Sequence, residues 1–320
     1  MKTSSVFKYF PPPDFLNPPR IGISFSDQSV KAVAFGSGEN KFPVESMLTH
    51  LDEGTVVSGS IVKPEKIISK FKEVAEKFDS KFVYFTVPDE LTYIFNTTVK
   101  VVPGKDATEN VAFTIEENVP LALADTVFDF VPKNVRKVGA DFEAQMVVAA
   151  SARKEIEKIT DALKAAGLEP IGCIHESQAI AEALIPESSN TLFCIVHVRE
   201  DRIGIFLTKG NTVSFSTIRA SGPSTAIEDF RDEYTKMIEY HSRYDNSPLI
   251  APIAEVIVCG EFEIAKSIVN AHNEAGKYKE KARLGNVWTN VFEIDEHTPN
   301  IPYEKSLSFA GSIGALLTSF

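Results

Sequence analysis

The chain has 320 residues, a net charge of −11, and 43% apolar and 24% charged residues. That is the profile of a soluble globular protein with room for about two domains. Its lysines and arginines are scattered rather than striped, which excludes nucleic acid and an anionic membrane surface as direct partners. The cysteines Cys173, Cys194 and Cys259 each lie in an apolar run without C-x-x-C spacing, so they read as buried free thiols and not as a disulfide framework or a zinc site.

The N-terminus "MKTSSVFKYFPPPDFLNPPR" lacks the apolar stretch of a signal peptide, and no run approaches the ~18 apolar residues that span a bilayer. A cytoplasmic protein is expected. Residues 1–20 read as an extended arm, because the prolines of "YFPPPDFLNPP" cannot enter a helix or a central strand.

"IGISFSDQSVKAVAF" (21–35) reads as two strands around a polar turn. The hydroxyls of Ser26 and Ser29, with Lys31 just beyond, are groups that can hold a phosphate. Yet no glycine lies between Gly22 and Gly36, and close approach to a phosphate ordinarily needs one. "ESMLTHL" adds a possible third strand. "PEKIISKFKEVAEKF" (64–78) follows as an amphipathic helix with proline in its first turn, and "KFVYFTV" (81–87) as a buried strand.

A block with its own pattern comes next: "YIFNTTVKVV" as strand, "TENVAFTIEEN" as helix, "DTVFDFV" and "FEAQMVVAA" as strands, and "RKEIEKITDALKAAG" as a helix closed by Gly167. This β-α-β-β-α unit, residues 89–166, reads as a subdomain inserted into a larger one comprising 21–88 and 167–189. "LEPIGCI" and "ESQAIAEAL" return as strand and helix. From residue 190 the opening plan recurs. "LFCIVHV" and "RIGIFL" flank the turn Arg199-Glu200-Asp201, "TVSFSTIRA" is a third strand, and "PSTAIEDFRDEYTKMIEYHSRY" is a long helix. "AEVIVC" and the glycine-started helix "GEFEIAKSIVNAHNEAG" follow, and "SLSFAGSIGALLTSF" closes the chain as a core helix. Two halves that open alike predict a duplicated α/β architecture with a ligand cleft between them.

The order and spacing of these segments resemble the type IV pilus assembly protein PilM family, relatives of FtsA within the actin-like ATPase superfamily. "IGISFSDQSVKAV" resembles the family's first phosphate segment, and "GTVVSGSIVKPEKI" the approach to its first helix. "VYFTVPDELTYIFNTTVKV", "ENVPLALADTVFDFV" and "MVVAASARKEIEKITDALKAAGLEPIGCIHESQAIAEAL" resemble the inserted subdomain and the return from it, and "NVWTNVFEI" and "SLSFAGSIGALL" the end. The resemblance implies an actin-like (ribonuclease H-like) duplicated α/β fold with an FtsA-type inserted β-α-β-β-α subdomain. It also implies ATP with magnesium between the halves, and a groove between the first subdomain and the insert that holds the cytoplasmic N-terminus of a PilN-like inner-membrane protein.

The nucleotide segments depart from that pattern. The family's aspartate is Ser24 here and its glycine Ser26, with Asp27 three residues late; Ser26, Ser29 and Lys31 remain able to contact an anion. The family's second turn, Asp-x-Gly, is His197-Val198-Arg199, followed by Glu200 and Asp201. His197 reads as a satisfied core histidine. Arg199 reads first as a solvated turn charge and second as a guanidinium able to fork onto phosphate. The third segment is "GEFE", in which Gly260 survives while Glu261 and Phe262 put bulk and charge where an adenosine would lie. Glu176 stands near the family's catalytic acidic position. The stretch near 222–254 is short, which implies a reduced fourth subdomain.

The expectation is a relic or weak nucleotide site formed by Ser24, Ser26, Asp27, Ser29, Lys31, Arg199 and Gly260, with no catalytic residue, metal or cofactor. The function expected is a pseudo-ATPase scaffold of a type IV pilus or related type II secretion machine. It would act at the inner face of the cell membrane through its PilN-like partner, and a second copy of the chain, in a homo-oligomer, is the other partner considered. The alternatives are an active ATP-binding ATPase of the PilM/FtsA type and, less in keeping with the insert, a sugar or acetate kinase of the same superfamily.

Overall fold

The computed structural model describes residues 19–36, 44–102, 104, 106–139, 141–244, 252–276, 278–292 and 299–318. Nearly all of the proline-rich arm, and part of the stretch near 222–254, lie outside these. The first half opens with β1 (Arg20–Phe25), β2 (Ser29–Phe35) and β3 (Val44–His50). Ile21, Ile23, Phe25, Val30 and Ala32 are fully buried or nearly so, and supply the alternation that fixes the hairpin's register. A short hairpin, β4 (Val56–Val57) and β5 (Ser60–Ile61), leads into α1 (Pro64–Lys77), whose Ile67, Phe71 and Val74 face the sheet. After β6 (Phe82–Val87) a 3₁₀ turn, Asp89–Leu91, leads into the inserted subdomain.

The insert consists of β7 (Thr92–Val101), α2 (Thr108–Asn118), β8 (Thr126–Val138) and β9 (Asp141–Ala152). Its strands form a sheet of order β7-β9-β8. Val111 and Ile115 of α2 cover one face of it, against Ala144, Met146 and Val148. The following helix, α3 (Arg153–Ala165), was expected to belong to this block, and it does not. Its Ile159, Ala162 and Leu163 pack with Ile67, Phe71 and Val83 in the core of the first half. The apolar period of α3 shows that one face is buried but not against which sheet, and burial of two large aliphatic side chains, worth about 2 kcal/mol each, ties it to α1. By packing, the insert therefore spans 92–152 rather than 89–166.

β10 (Glu169–His175) completes the first sheet, whose order is β10-β6-β1-β2-β3. α4 (Glu176–Leu184) crosses to the second half, where β11 (Leu192–Val198), β12 (Arg202–Lys209), β13 (Thr212–Ala220), α5 (Ala226–Tyr244), β14 (Glu255–Gly260), α6 (Phe262–Glu274) and β15 (Lys281–Leu284) follow. The second sheet runs β13-β12-β11-β14-β15. Read from β3 or from β13, the two orders are the same, so the duplication expected from the hairpins is present. β15 had no signal of its own in the sequence: it is four residues long and half polar, and it is a strand only because β14 pairs with it in parallel. Among the described residues between β13 and β14, α5 packs Phe230, Tyr234 and Met237 onto its own sheet.

Between the two sheets lies a shared core built on α4 and the C-terminal α8 (Ala310–Leu317), which follows α7 (Tyr303–Ser306) and a 3₁₀ turn at Leu307–Phe309. The helices touch backbone to backbone: a Cβ at Gly314 would lie 1.6 Å from the carbonyl oxygen of Ala179. Glycine at 314 is what permits the crossing. No described helix is long and apolar enough to cross a membrane.

Candidate functional site

The hairpin turns of the two halves face each other across the cleft. The first closes with Ser26 N–H donating to Ser29 O at 2.9 Å, the second with Arg199 N–H donating to Arg202 O at 2.9 Å. Around them the side chains of Ser24, Ser26, Ser29, Lys31 and Arg199, all expected at the site, meet Glu176, His197 and Ser308 at a cavity of about 10 Å³. A space of that size takes one water and is far below what a triphosphate fills.

Arg199 is not the solvated turn charge expected of it. Its side chain is 9% exposed and forms a close ion pair with Glu90, while Nη1 donates to Glu176 Oε2 at 3.4 Å. Arg202, which the sequence reading passed over, sends Nη2 to Asp27 Oδ2 at 3.1 Å and places Nε 3.4 Å from Glu90 Oε1. Asp27 in turn accepts the backbone N–H groups of Ser58 (2.8 Å) and Gly59 (2.9 Å), at the tip of the β4–β5 hairpin. Asp27, Glu90 and Glu176 thus each face a guanidinium from the second turn. A third cation reaches across the cleft at its rim, Lys31 Nζ to Glu261 Oε1 at 3.9 Å.

Burial sets the protonation of this cluster. It pushes the Glu176 carboxyl up to about 8; Arg199 counteracts this, and Asp89 and Glu90 reinforce it. Because the guanidinium is shared with Glu90, it cannot hold Glu176 fully ionised as well. Burial opposes the charge of Arg199, but Glu176 and Glu90 outweigh it and hold its pKa above the ordinary value. His197 is buried, as expected, yet it lines the cavity instead of the apolar core. Burial and the charges of Arg199 and Lys31 hold it well below the usual imidazole range, and thus neutral at pH 7. Burial also lowers the pKa of Lys31, offset in part by Glu261 and Glu176.

Asp89, beside Glu90, accepts from Ser177 N–H at 3.1 Å and from its hydroxyl at 3.0 Å, and so caps the N-terminus of α4. Consecutive residues of one 3₁₀ turn therefore hold the interdomain helix and the second half. Gly260 is a glycine for a local reason: its φ is +104°, and a Cβ there would lie 1.9 Å from Val198 O. It stands apart from the serines, at an open groove of about 1050 Å³ that is also lined by Glu261, Phe262, Pro302, Lys305 and Phe309. Glu261 and Phe262, expected to put bulk and charge where an adenosine would lie, stand on the wall of this groove beside Gly260. The sequence missed Glu90 and Arg202. The one signal was the run of four charges Arg199-Glu200-Asp201-Arg202 on a hairpin turn, a density that calls for counter-charges.

Two duplicated α/β halves with facing hairpin turns and a three-stranded insert define a protein of the actin-like ATPase fold. Solved structures agree. A chain of the PilM-PilN type IV pilus biogenesis complex superposes with a TM-score of 0.70 at 15% identity, over 93% of this chain and 97% of that one. The cytoplasmic domain of EpsL, an inner membrane component of the type II secretion system of Vibrio cholerae, gives 0.50 at 11% identity, over 95% and 97%. MreB 5 of Spiroplasma citri bound to AMPPNP gives 0.50 at 10% identity, over 93% and 95%. The family described as type IV pilus assembly protein PilM matches residues 22–242, and the chain belongs to it. No curated protein matches the chain by sequence.

Proposed function

We propose that this PilM-family protein is a scaffold that binds its partner without hydrolysing ATP, and that it stands at the inner face of the cell membrane by holding the cytoplasmic N-terminus of a PilN-like protein. The observation that carries the first part is the state of the phosphate side of the cleft. Arg199 and Arg202 occupy it and pair with Asp27, Glu90 and Glu176, the carboxylates that would otherwise organise magnesium. The open edge of β8 supports the second part. β8 lies at the edge of the insert's sheet, and Val127, Val131, Val135 and Val138 along it are exposed. An unpaired edge with apolar side chains suits an extended peptide that adds as a strand.

A titration of the labelled N-terminal peptide of the PilN-like protein from the same organism tests this. Micromolar binding is expected without nucleotide, and loss of binding when residues 92–152 are replaced by a short linker. The deletion must stop before α3, because removing Ile159 and Leu163 would open the first core. In parallel, about 1 mM Mg-ATP should stabilise the protein by less than ~0.4 kcal/mol. Binding only with ATP present would favour the active ATPase instead.

A further inference from the structure

The charges that fill the cleft also reach the base of the insert. Glu90, which pairs with both Arg199 and Arg202, stands two residues before β7, where the insert begins. Arg202 has a second path. Its Nη2 reaches Asp27 and, at 3.4 Å, Ser58 Oγ, while Asp27 holds the tip of the β4–β5 hairpin by two backbone N–H groups. Ser58 in that tip has φ +49°, a conformation that neighbouring contacts must hold. From the same hairpin Ser60 Oγ donates to Glu155 in the first turn of α3 at 2.6 Å, and Arg153 in that turn donates to Thr126 O, at the start of β8, at 3.0 Å. Two chains of polar contacts thus lead from one turn of the second half to both edge strands of the insert's sheet, β7 and β8.

We propose that Arg199 and Arg202 are positioning residues. They fix the orientation of the inserted subdomain from across the cleft, so that affinity for an extended peptide on the insert depends on closure of the two halves. The chemistry requires this coupling if the cleft opens. Glu90 and Asp27 cannot leave the guanidiniums without being solvated or paired anew, and both anchor points of the insert are then released together. The proposal deepens the partner-binding reading and rests on it for its affinity arm only.

The test uses the full chain with Arg202→Gln and, separately, Asp27→Asn, at side chains exposed enough (20% and 16%) for the variants to fold. Spin labels at Phe113→Cys and Asn270→Cys, in a Cys173→Ser background, report the distance between insert and second half. Both variants should broaden that distance distribution and weaken the PilN-like peptide by about fivefold or more, the scale of an ordinary coupling between sites. Arg202→Lys should restore much of each. Unchanged distances in both variants overturn the proposal, as does weakening that only tracks a fall in melting temperature. If the unmodified protein binds no peptide, the partner reading fails while the distance arm still decides the coupling.

Discussion

The turns at 26–29 and 199–202 are the same piece of backbone used twice, between strands of matching order in matching sheets. Their side chains differ in kind. The first turn is hydroxyl-rich with a single carboxylate, Asp27; the second is four consecutive charges, two of them arginine. In a nucleotide-holding cleft both turns would face a third body carrying phosphate and metal charge. Here one turn supplies cations and the other, with Glu90 and Glu176, supplies anions, so the halves complete each other directly. Duplicated topology preserves geometry and leaves the chemistry of each copy free to change.

Removing the buried cation should break this complementarity most severely. Arg199→Met takes the guanidinium from Glu176 and leaves Glu90 with Arg202 alone, at 3.4 Å, and both carboxyl side chains are about 7% exposed. A loss of ~3–5 kcal/mol in urea unfolding is expected. Glu90→Gln added to Arg199→Met should recover part of it, because one buried charge is gone. A loss below ~1 kcal/mol would mean that the pair is solvated and the cleft open.

Much of this comparison was legible beforehand. The alternation in "IGISFSDQSVKAVAF" and "LFCIVHVREDRIGIFL" gave both hairpins and the duplication, because one buried face imposes period two. The partners of Arg199 were not legible: Glu90 stands 109 positions away, and no local pattern joins them. The allegiance of α3 and the existence of β15 were hidden for a related reason, since an amphipathic period shows how much is buried and leaves open against what. Ser24, Ser26, Ser29, Lys31 and Arg199 do converge as the resemblance implied, but Asp27 turns to the β4–β5 hairpin and Gly260 to the open groove.

The pH dependence sharpens the asymmetry within the anionic side. The folded pKa of Glu176 stands near 8 against an ordinary 4.5, so the folded state holds more protons over that interval. Its contribution is complete below about pH 4.5 and is lost as pH rises through about 8. The slope from this one group approaches about 1.4 kcal/mol per pH unit. Denaturation at several pH values should show Glu176→Gln flattening the curve between those limits. An identical slope in the variant would show that Glu176 is ionised and shared equally with Glu90 on Arg199.

Rebuilding the first turn alone should not restore a nucleotide site. Ser24→Asp with Ser26→Gly returns a carboxylate and a glycine, but Arg199 and Arg202 still fill the opposite side. The new carboxylate also stands beside Gly311, whose Cβ position is 3.3 Å from Ser24 Cβ, and near Glu176. Calorimetry should find Mg-ATP binding no tighter than about 1 mM in the double variant, that is, no more than ~4 kcal/mol of standard affinity. Micromolar binding would show that the second turn yields its arginines to a ligand.

The smallest effect is expected at the rim, where Lys31 and Glu261 also join the halves. The Glu261 side chain is 37% exposed and its carboxylate is 3.9 Å from the ammonium, so water screens the pair. Glu261 is also the N-cap residue of α6 without a side-chain capping bond, which leaves only a modest attraction to the helix N-terminus. Glu261→Gln should therefore cost less than ~0.5 kcal/mol at neutral pH. Its readable effect is on Lys31, whose pKa burial already lowers and Glu261 is the foremost group to hold up. Without that carboxylate the pKa of Lys31 should fall further, as followed by NMR at its Cε. A stability loss above ~1.5 kcal/mol would move the closure of the cleft from the buried arginines to its rim, and the second turn would then no longer be the half that holds the first.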